Sequence, residues 1–298
     1  MVSSGSRSRI PTRRGRGRRS AAARVLVPAT LAAVVAGCPP RVAERIRLDA
    51  IPMHEAIAIV NANSGAIRGT LRASGTVNGY FTNRDGRRTS YHLDGIMFYL
   101  APTYFRFDLK KFGDRQILFG ANRDDFWFFN KQDESYYCGR QGSREDLPPE
   151  VPVRPDQLVD ALGLTPIPDE VSRDGDLRRA QRVVEDYQQI LFLRADESGR
   201  VIVEKEYWLD RAPPRLIRRV VLRDNEGVLE MESSLDEYKP LAPAGPLLPH
   251  RMVADWPTVG AHLRFHVGQW TSAEQVTPGG PQFSPPVECR ANRIEGSR

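Results

Sequence analysis

From Tyr99 to Cys138 the order of apolar and polar positions predicts four short strands in succession. Phe105, Phe107 and Leu109 alternate with Arg106, Asp108 and Lys110, the period-two pattern of a strand with one apolar and one wet face. Gln116 to Gly120 forms a second apolar run. In Phe126-Trp127-Phe128-Phe129 both registers are apolar, so that strand has no polar face. A sheet with two apolar faces must be covered twice, or must cover something other than itself.

The rest of the chain extends this pattern. Ile51 to Asn63 reads as an amphipathic helix, with Pro52 suited to its first turn and Met53, Ala56, Ile57 and Val60 on one face. Strands follow over Leu71–Phe81 and Arg88–Leu100, ahead of the aromatic run. Gly139 to Asp156 is a polar, proline-bearing connection, and Pro155 to Leu162 a short helix with Leu158, Val159 and Leu162 inward. Thr165 to Leu177 reads as loop. Six strands then run over Val183–Arg194, Arg200–Asp210, Arg215–Arg223, Val228–Tyr238, Pro249–Trp256 and Ala261–Thr271. Polar turns closed by glycine punctuate the series: Asn83–Gly86, Asp196–Gly199 and Asp224–Gly227. No internal repeat or change of composition marks a boundary within residues 49–290. The expected class is mainly β (α+β), a curved antiparallel sheet of about eleven strands in meander order, whose edges must be hidden by closing or curling. A half-open barrel with helices as lid or plug meets that need.

Charge changes the picture at one end only. The 298-residue chain carries a net +6, but eight arginines and no acidic residue lie within residues 1–37, which leaves 35 basic against 37 acidic groups beyond them. The basic balance belongs to a leader and gives no support for nucleic-acid binding by the folded part. That leader continues into an apolar run, Val25–Ala36, too short for the roughly 20 residues that span a bilayer, and ends in Val35-Ala36-Gly37-Cys38. This layout is a secretory signal whose last residues resemble the bacterial lipobox, in which the cysteine is diacylated and becomes the new N-terminus. Residues 1–37 then form the signal peptide, 38–48 a tether beginning with Pro39 and Pro40, and 291–298 a flexible tail. The alternative is an uncleaved anchor with an incidental cysteine. Cys138 and Cys289 remain in the mature chain and permit one disulfide. The alternative is two buried thiols.

Catalytic chemistry finds little footing. His262 and His266 share a strand face but lack a third ligand at metal spacing, so no metal and no cofactor is expected. Glu204, Glu206, Glu230 and Glu232 alternate with apolar residues and read as the solvent face of two strands, opposite arginines such as Arg218. No nucleophile elbow, phosphate loop or dinucleotide fingerprint appears. The expectation is a protein without enzymatic activity.

Pro102, the strand Phe105-Arg106-Phe107, Gln116-Ile117-Leu118 and the strand Phe126-Trp127-Phe128-Phe129-Asn130 together resemble the LolA/LolB-like lipoprotein-carrier superfamily. Gln282-Phe283-Ser284-Pro285-Pro286 is similar to that family's closing strand. Two positions depart from the pattern: Ala101 stands where the soluble carrier has a basic residue, and Asn122–Asp125 replaces the usual turn before the Trp strand. The resemblance covers most of residues 45–287. It implies an open barrel whose helices plug an apolar cavity for acyl chains, with an acyl lipid or acylated lipoprotein as partner. The candidate lining is Phe105, Phe107, Phe119, Trp127 and Phe129, joined by Trp208 and Trp270; the alternative for each is ordinary core packing. With Cys38 lipidated, the chain is expected on a membrane facing the periplasm, the outer membrane above all. A second class of function, an envelope sensor or assembly scaffold with protein partners, predicts an exposed apolar patch outside the barrel. An exported hydrolase would instead need a carboxylate or histidine cluster in the cavity.

Overall fold

A computed structural model describes residues 49–82, 86–132, 134–141, 153–168, 177–196 and 198–291. Cys38, the signal peptide, the tether and residues 292–298 lie outside the described residues, as does most of the polar connection after Gly139.

The helix expected near the start is α1 (Met53–Gly65), and its buried stripe is Ala56, Ile57 and Val60. Then come β1 (Leu71–Thr82), β2 (Arg88–Leu100), β3 (Tyr104–Lys111), β4 (Asp114–Ala121), β5 (Asp125–Asn130) and β6 (Ser135–Arg140). After α2 (Pro155–Ala161) the second series is β7 (Leu177–Val184), β8 (Tyr187–Ala195), β9 (Val201–Asp210), β10 (Ile217–Arg223) and β11 (Leu229–Asp236). A small β12 (Lys239–Pro240) and β13 (Leu247–Leu248) pair with each other, and β14 (Arg251–Trp256), β15 (Ala261–Ser272) and α3 (Glu288–Ala291) end the fold. The main sheet has 13 strands in the order β6-β5-β4-β3-β2-β1-β15-β14-β11-β10-β9-β8-β7. This corrects the estimate of about eleven. One cause is the stretch Val183–Arg194, read as a single strand: Glu185 takes a left-handed φ of 52° there and turns the chain between β7 and β8.

The two series are meanders joined at one seam, where the first strand meets the last: Leu71 pairs with Ser272 and Tyr80 with His262. The sheet is open, since β6 and β7 are its two edges. It is also strongly curved. Helix α2 touches β4 and β5 as well as β11, and β4 and β11 stand six places apart in the strand order. In a flat sheet that is about 29 Å at 4.8 Å per strand, far wider than a helix about 10 Å across. The sheet therefore curls around α2. One continuous core takes Phe107 and Phe119 from one flank, Ile190 and Tyr207 from the other, and Leu158 and Val159 from α2.

Polar side chains fix the helices inside this curl. The Asn61 amide of α1 donates to the Ile167 carbonyl and accepts from its N–H, both at 2.8 Å. Asn63 does the same with Leu247, at 3.0 and 2.8 Å. Each amide imitates a pair of strand bonds, which satisfies loop backbone that would otherwise be buried unpaired.

The outer face of the first meander is covered as well. The segment after β15 lays Ala273, Val276 and Phe283 against Phe98, Leu100 and Tyr104. Farther on, Cys289 joins Leu118, Trp127 and Cys138 in a second small core, and a disulfide links Cys138 to Cys289 across 151 positions. The closing strand expected at Gln282–Pro286 is not formed; Pro281–Phe283 is a 3-10 turn that presses Phe283 onto Tyr104 with ring centres 5.5 Å apart. Two prolines in tandem supply no donor for a ladder. Asn122, one of the departures from the family pattern, has a job here. Its Oδ1 accepts from the N–H groups of Asp124 and Asp125, and its Nδ2 donates to the Phe283 carbonyl.

Candidate functional site

The two registers of the aromatic strands divide between the two faces. Phe107 pairs with Phe119, and Phe119 with Phe128, placing these rings on the concave side with Phe105. All are buried, and the Phe107–Phe265 and Phe119–Phe128 ring centres lie 4.9 and 5.0 Å apart. Trp270 is also in this core and donates through Nε1 to the Pro249 carbonyl at 2.9 Å. Trp127 and Phe129 point the other way. The Trp127 ring lies over Gly120, its cross-strand partner, where a Cβ would come within 2.1 Å of it. The C-terminal segment seals it in, and its buried Nε1 has no hydrogen-bond acceptor among the described residues. Trp208 lies between Arg219, whose guanidinium is 4.8 Å from the ring centre, and the edge of Tyr187; its Nε1 donates to Glu206.

A ligand-sized space lies elsewhere, between α2 and the inner side of β8 to β11. It is a cavity of about 480 Å³, and none of the aromatic residues picked out from the sequence lines it. From α2 and its N-terminal flank come Arg154, Asp156, Gln157 and Asp160; the facing strands bring Phe192, Glu204, Lys205, Leu222 and Arg223. Asp224 and Asn225 of the β10–β11 turn and Glu230 complete its rim.

Ion pairs organise this wall. Lys205 donates to Asp160 at 2.7 Å and sits 5.1 Å from the Tyr207 ring centre. Burial works against its ammonium, but the Asp160 carboxylate and Tyr207 outweigh that effect and hold its pKa above the usual lysine value. Arg154 forks onto Asp156 with bonds of 3.0 and 2.8 Å. Burial lowers its basicity, and Asp156 with Glu230 more than restores it. Arg223 reaches through to Glu206 at 3.1 Å. The buried Gln157 bridges two strands, donating to Glu230 at 3.3 Å and accepting from Trp256 Nε1 at 3.0 Å. Asp224 Oδ1 accepts from the N–H groups of Glu226 and Val228, both at 2.8 Å, and fixes the turn at the mouth.

The glutamates read as one solvent face thus have different fates. Glu206 is buried beside Arg223 and Gln189, Glu204 pairs with Arg194, and Glu232 with Arg219. Arg218 pairs with Asp210 and Asp236 instead. Two sequence signals, unused above, could have pointed to the cavity: Asp156 and Asp160 at helical spacing behind Pro155, and Lys205, one of five lysines among 43 basic residues.

No family model matches the sequence, and no curated protein matches it. Solved structures do resemble its fold. Its structural neighbours include LolA superfamily and outer membrane lipoprotein-sorting domains. The chain is similar to a DUF1329 family protein from Desulfovibrio piger, at 9% identity and a TM-score of 0.47, over 76% of this chain and 96% of the other. It is similar to a putative outer membrane lipoprotein-sorting protein domain from Vibrio parahaemolyticus, at 13% identity and a TM-score of 0.47, over 75% and 94%. A LolA superfamily protein from Nitrosomonas europaea is similar at 10% identity and a TM-score of 0.44, over 73% and 93%.

Proposed function

We propose that this chain is a lipoprotein of the bacterial envelope, anchored through Cys38 to a membrane facing the periplasm. In this reading its half-open barrel binds acyl chains of lipids or lipoproteins, as carrier or acceptor, and catalyses no reaction. The observation that carries the proposal is the cavity of about 480 Å³ between α2 and the curved sheet, within the range of small-ligand sites. Phe192 and Leu222 line it and also belong to the apolar core, so an acyl chain entering there meets an apolar patch among charged side chains. Each methylene fully moved from water into apolar contact there contributes about 0.8 kcal/mol.

The β3–β4 hairpin supports the membrane side of the proposal. Its two-residue turn is Phe112-Gly113, with φ of 53° and 83°, the geometry that favours Asn-Gly. Phe112 is 96% exposed and follows Lys110 and Lys111. A phenylalanine that takes a left-handed backbone, at a cost of about 1–2 kcal/mol, and faces water adds almost no buried surface to the fold. Set among headgroups, its ring reaches the acyl boundary while the lysines meet anionic lipid.

The test uses the whole chain carrying Cys38→Ser, purified from a bacterial host. Acyl lipid recovered from it by mass spectrometry, together with saturable binding of a fluorescent fatty acid, is the expected result. A protein free of lipid that binds no fatty acid refutes acyl binding. A Cys38→Ser chain that still fractionates with membranes as the native chain does refutes the anchor. A pulldown dominated by one protein, without lipid, would move the reading to the scaffold class.

A further inference from the structure

We infer that the cavity beneath α2 recognises the zwitterionic headgroup of an aminophospholipid, holding the ammonium at the β10–β11 turn and the phosphate between Arg154 and Arg223. This rests on the proposed lipid binding in the same cavity and narrows it to one class of lipid.

The charges of the wall are uneven in a directed way. Lys205 is committed to Asp160 at the inner end, beside Tyr207. Arg154 and Arg223 are each held by a carboxylate, Asp156 and Glu206, which orients them at little cost on binding. Arg154 gives Nε and one Nη to Asp156, and a guanidinium has five N–H groups, enough to serve a phosphate oxygen as well. Carboxylates outnumber cations around the cavity, and Asp224 stands at its rim. Asp224 is set there by two backbone N–H bonds to one of its oxygens.

An anionic lipid brings a phosphate for the arginines but nothing for that rim, and its net charge opposes the surplus. A simple amine leaves the arginines unanswered. A fatty acid brings a carboxylate for the arginines and a chain for Phe192 and Leu222, but nothing for that rim. A phosphate and an ammonium in one small headgroup, joined to acyl chains, answer all three.

The probes are dihexanoyl phosphatidylethanolamine and dihexanoyl phosphatidylglycerol, titrated as monomers into the Cys38→Ser chain by calorimetry, with O-phosphoethanolamine as the headgroup without chains. The ethanolamine lipid is expected to bind about tenfold tighter than the glycerol lipid, the scale of one hydrogen bond to a charged group. Asp224→Asn keeps the acceptor for Glu226 and Val228, so the turn stays formed, yet this variant should lose about tenfold for the ethanolamine lipid and nothing for the glycerol lipid. Arg154→Gln should weaken both lipids alike, and an unchanged urea midpoint for each variant shows that the fold is intact. Equal affinity for the two lipids, with fatty acid still bound, overturns headgroup recognition while acyl binding stands. O-phosphoethanolamine binding as tightly as the lipid also overturns it, in favour of a soluble phosphoamine. Failure of every lipid and of fatty acid overturns both readings.

Discussion

Removing the disulfide tests how the outer face of the first meander is held. Cys138 and Cys289 are both buried, so the appropriate pair is Cys138→Ala with Cys289→Ala, which buries no new hydroxyl. The bridge closes a loop of 151 positions. In the chain-entropy relation a loop of that length restrains the unfolded state by about 5 kcal/mol at 25 °C, and native disulfides contribute about 2–5 kcal/mol in practice. The loss expected is therefore about 3–5 kcal/mol, a large share of a typical 5–15 kcal/mol total. Equilibrium urea unfolding reads it, and the slope should steepen, because an uncrosslinked unfolded chain exposes more surface. The fluorescence of Trp127, sealed beneath the same segment, should shift red in the folded variant. A loss below about 1 kcal/mol with unchanged Trp127 emission would show that residues 273–289 do not depend on the bridge to cover the sheet.

Phe112→Asn should stabilise the fold by about 1 kcal/mol, since asparagine accepts the left-handed turn. It should also weaken binding to vesicles of anionic phospholipid about tenfold, measured by co-sedimentation, by removing one inserted ring; unchanged vesicle binding refutes the membrane role. Gly120→Ala drives a Cβ into the Trp127 ring and should cost about 1–3 kcal/mol in urea unfolding, whereas a neutral result would mean the ring is free to move. Asp196 accepts from Ser198 and Arg200, which lowers its pKa from 3.8 to about 2. A depressed carboxylate stabilises the fold above its unfolded pKa and loses that effect as pH falls through the folded value. Stability measured from pH 5 to 2 should therefore fall less steeply in Asp196→Asn than in the parent chain; parallel curves would exclude it.

Much of the fold was legible because burial in a sheet leaves a period. Phe105, Phe107 and Leu109 announce one inner face, and the stripe Ala56, Ile57, Val60 announces α1. The double apolar face at Trp127 and Phe129 was equally clear, but not its cover. Residues 273–289 shield it as an irregular segment rich in proline and glycine, and an irregular cover has no rhythm to read. The β7–β8 turn escaped because Glu185 adopts its left-handed conformation without the glycine that normally signals one. The cavity was the least visible. Alternation told that Glu204 and Glu206 share a register, but a break in register between Phe192 and Leu193 of the partner strand and the curl of the sheet decide which charges meet α2. Asp160 and Lys205 are 45 positions apart, and only the folded sheet joins them.

The seam between β1 and β15 has a consequence in time. Strand β1 ends at Thr82 and its partner begins at Ala261, roughly 180 residues later, so in a chain that emerges from its N-terminus β1 appears long before β15. Each meander assembles from neighbours in sequence, yet through that interval β1 presents a bare row of amides and carbonyls along Leu71–Thr82, open to any other extended chain. Such a distant pairing is also slow to find. The emerging chain is thus open along the line that later becomes the middle of its sheet, until β15 arrives to cover it.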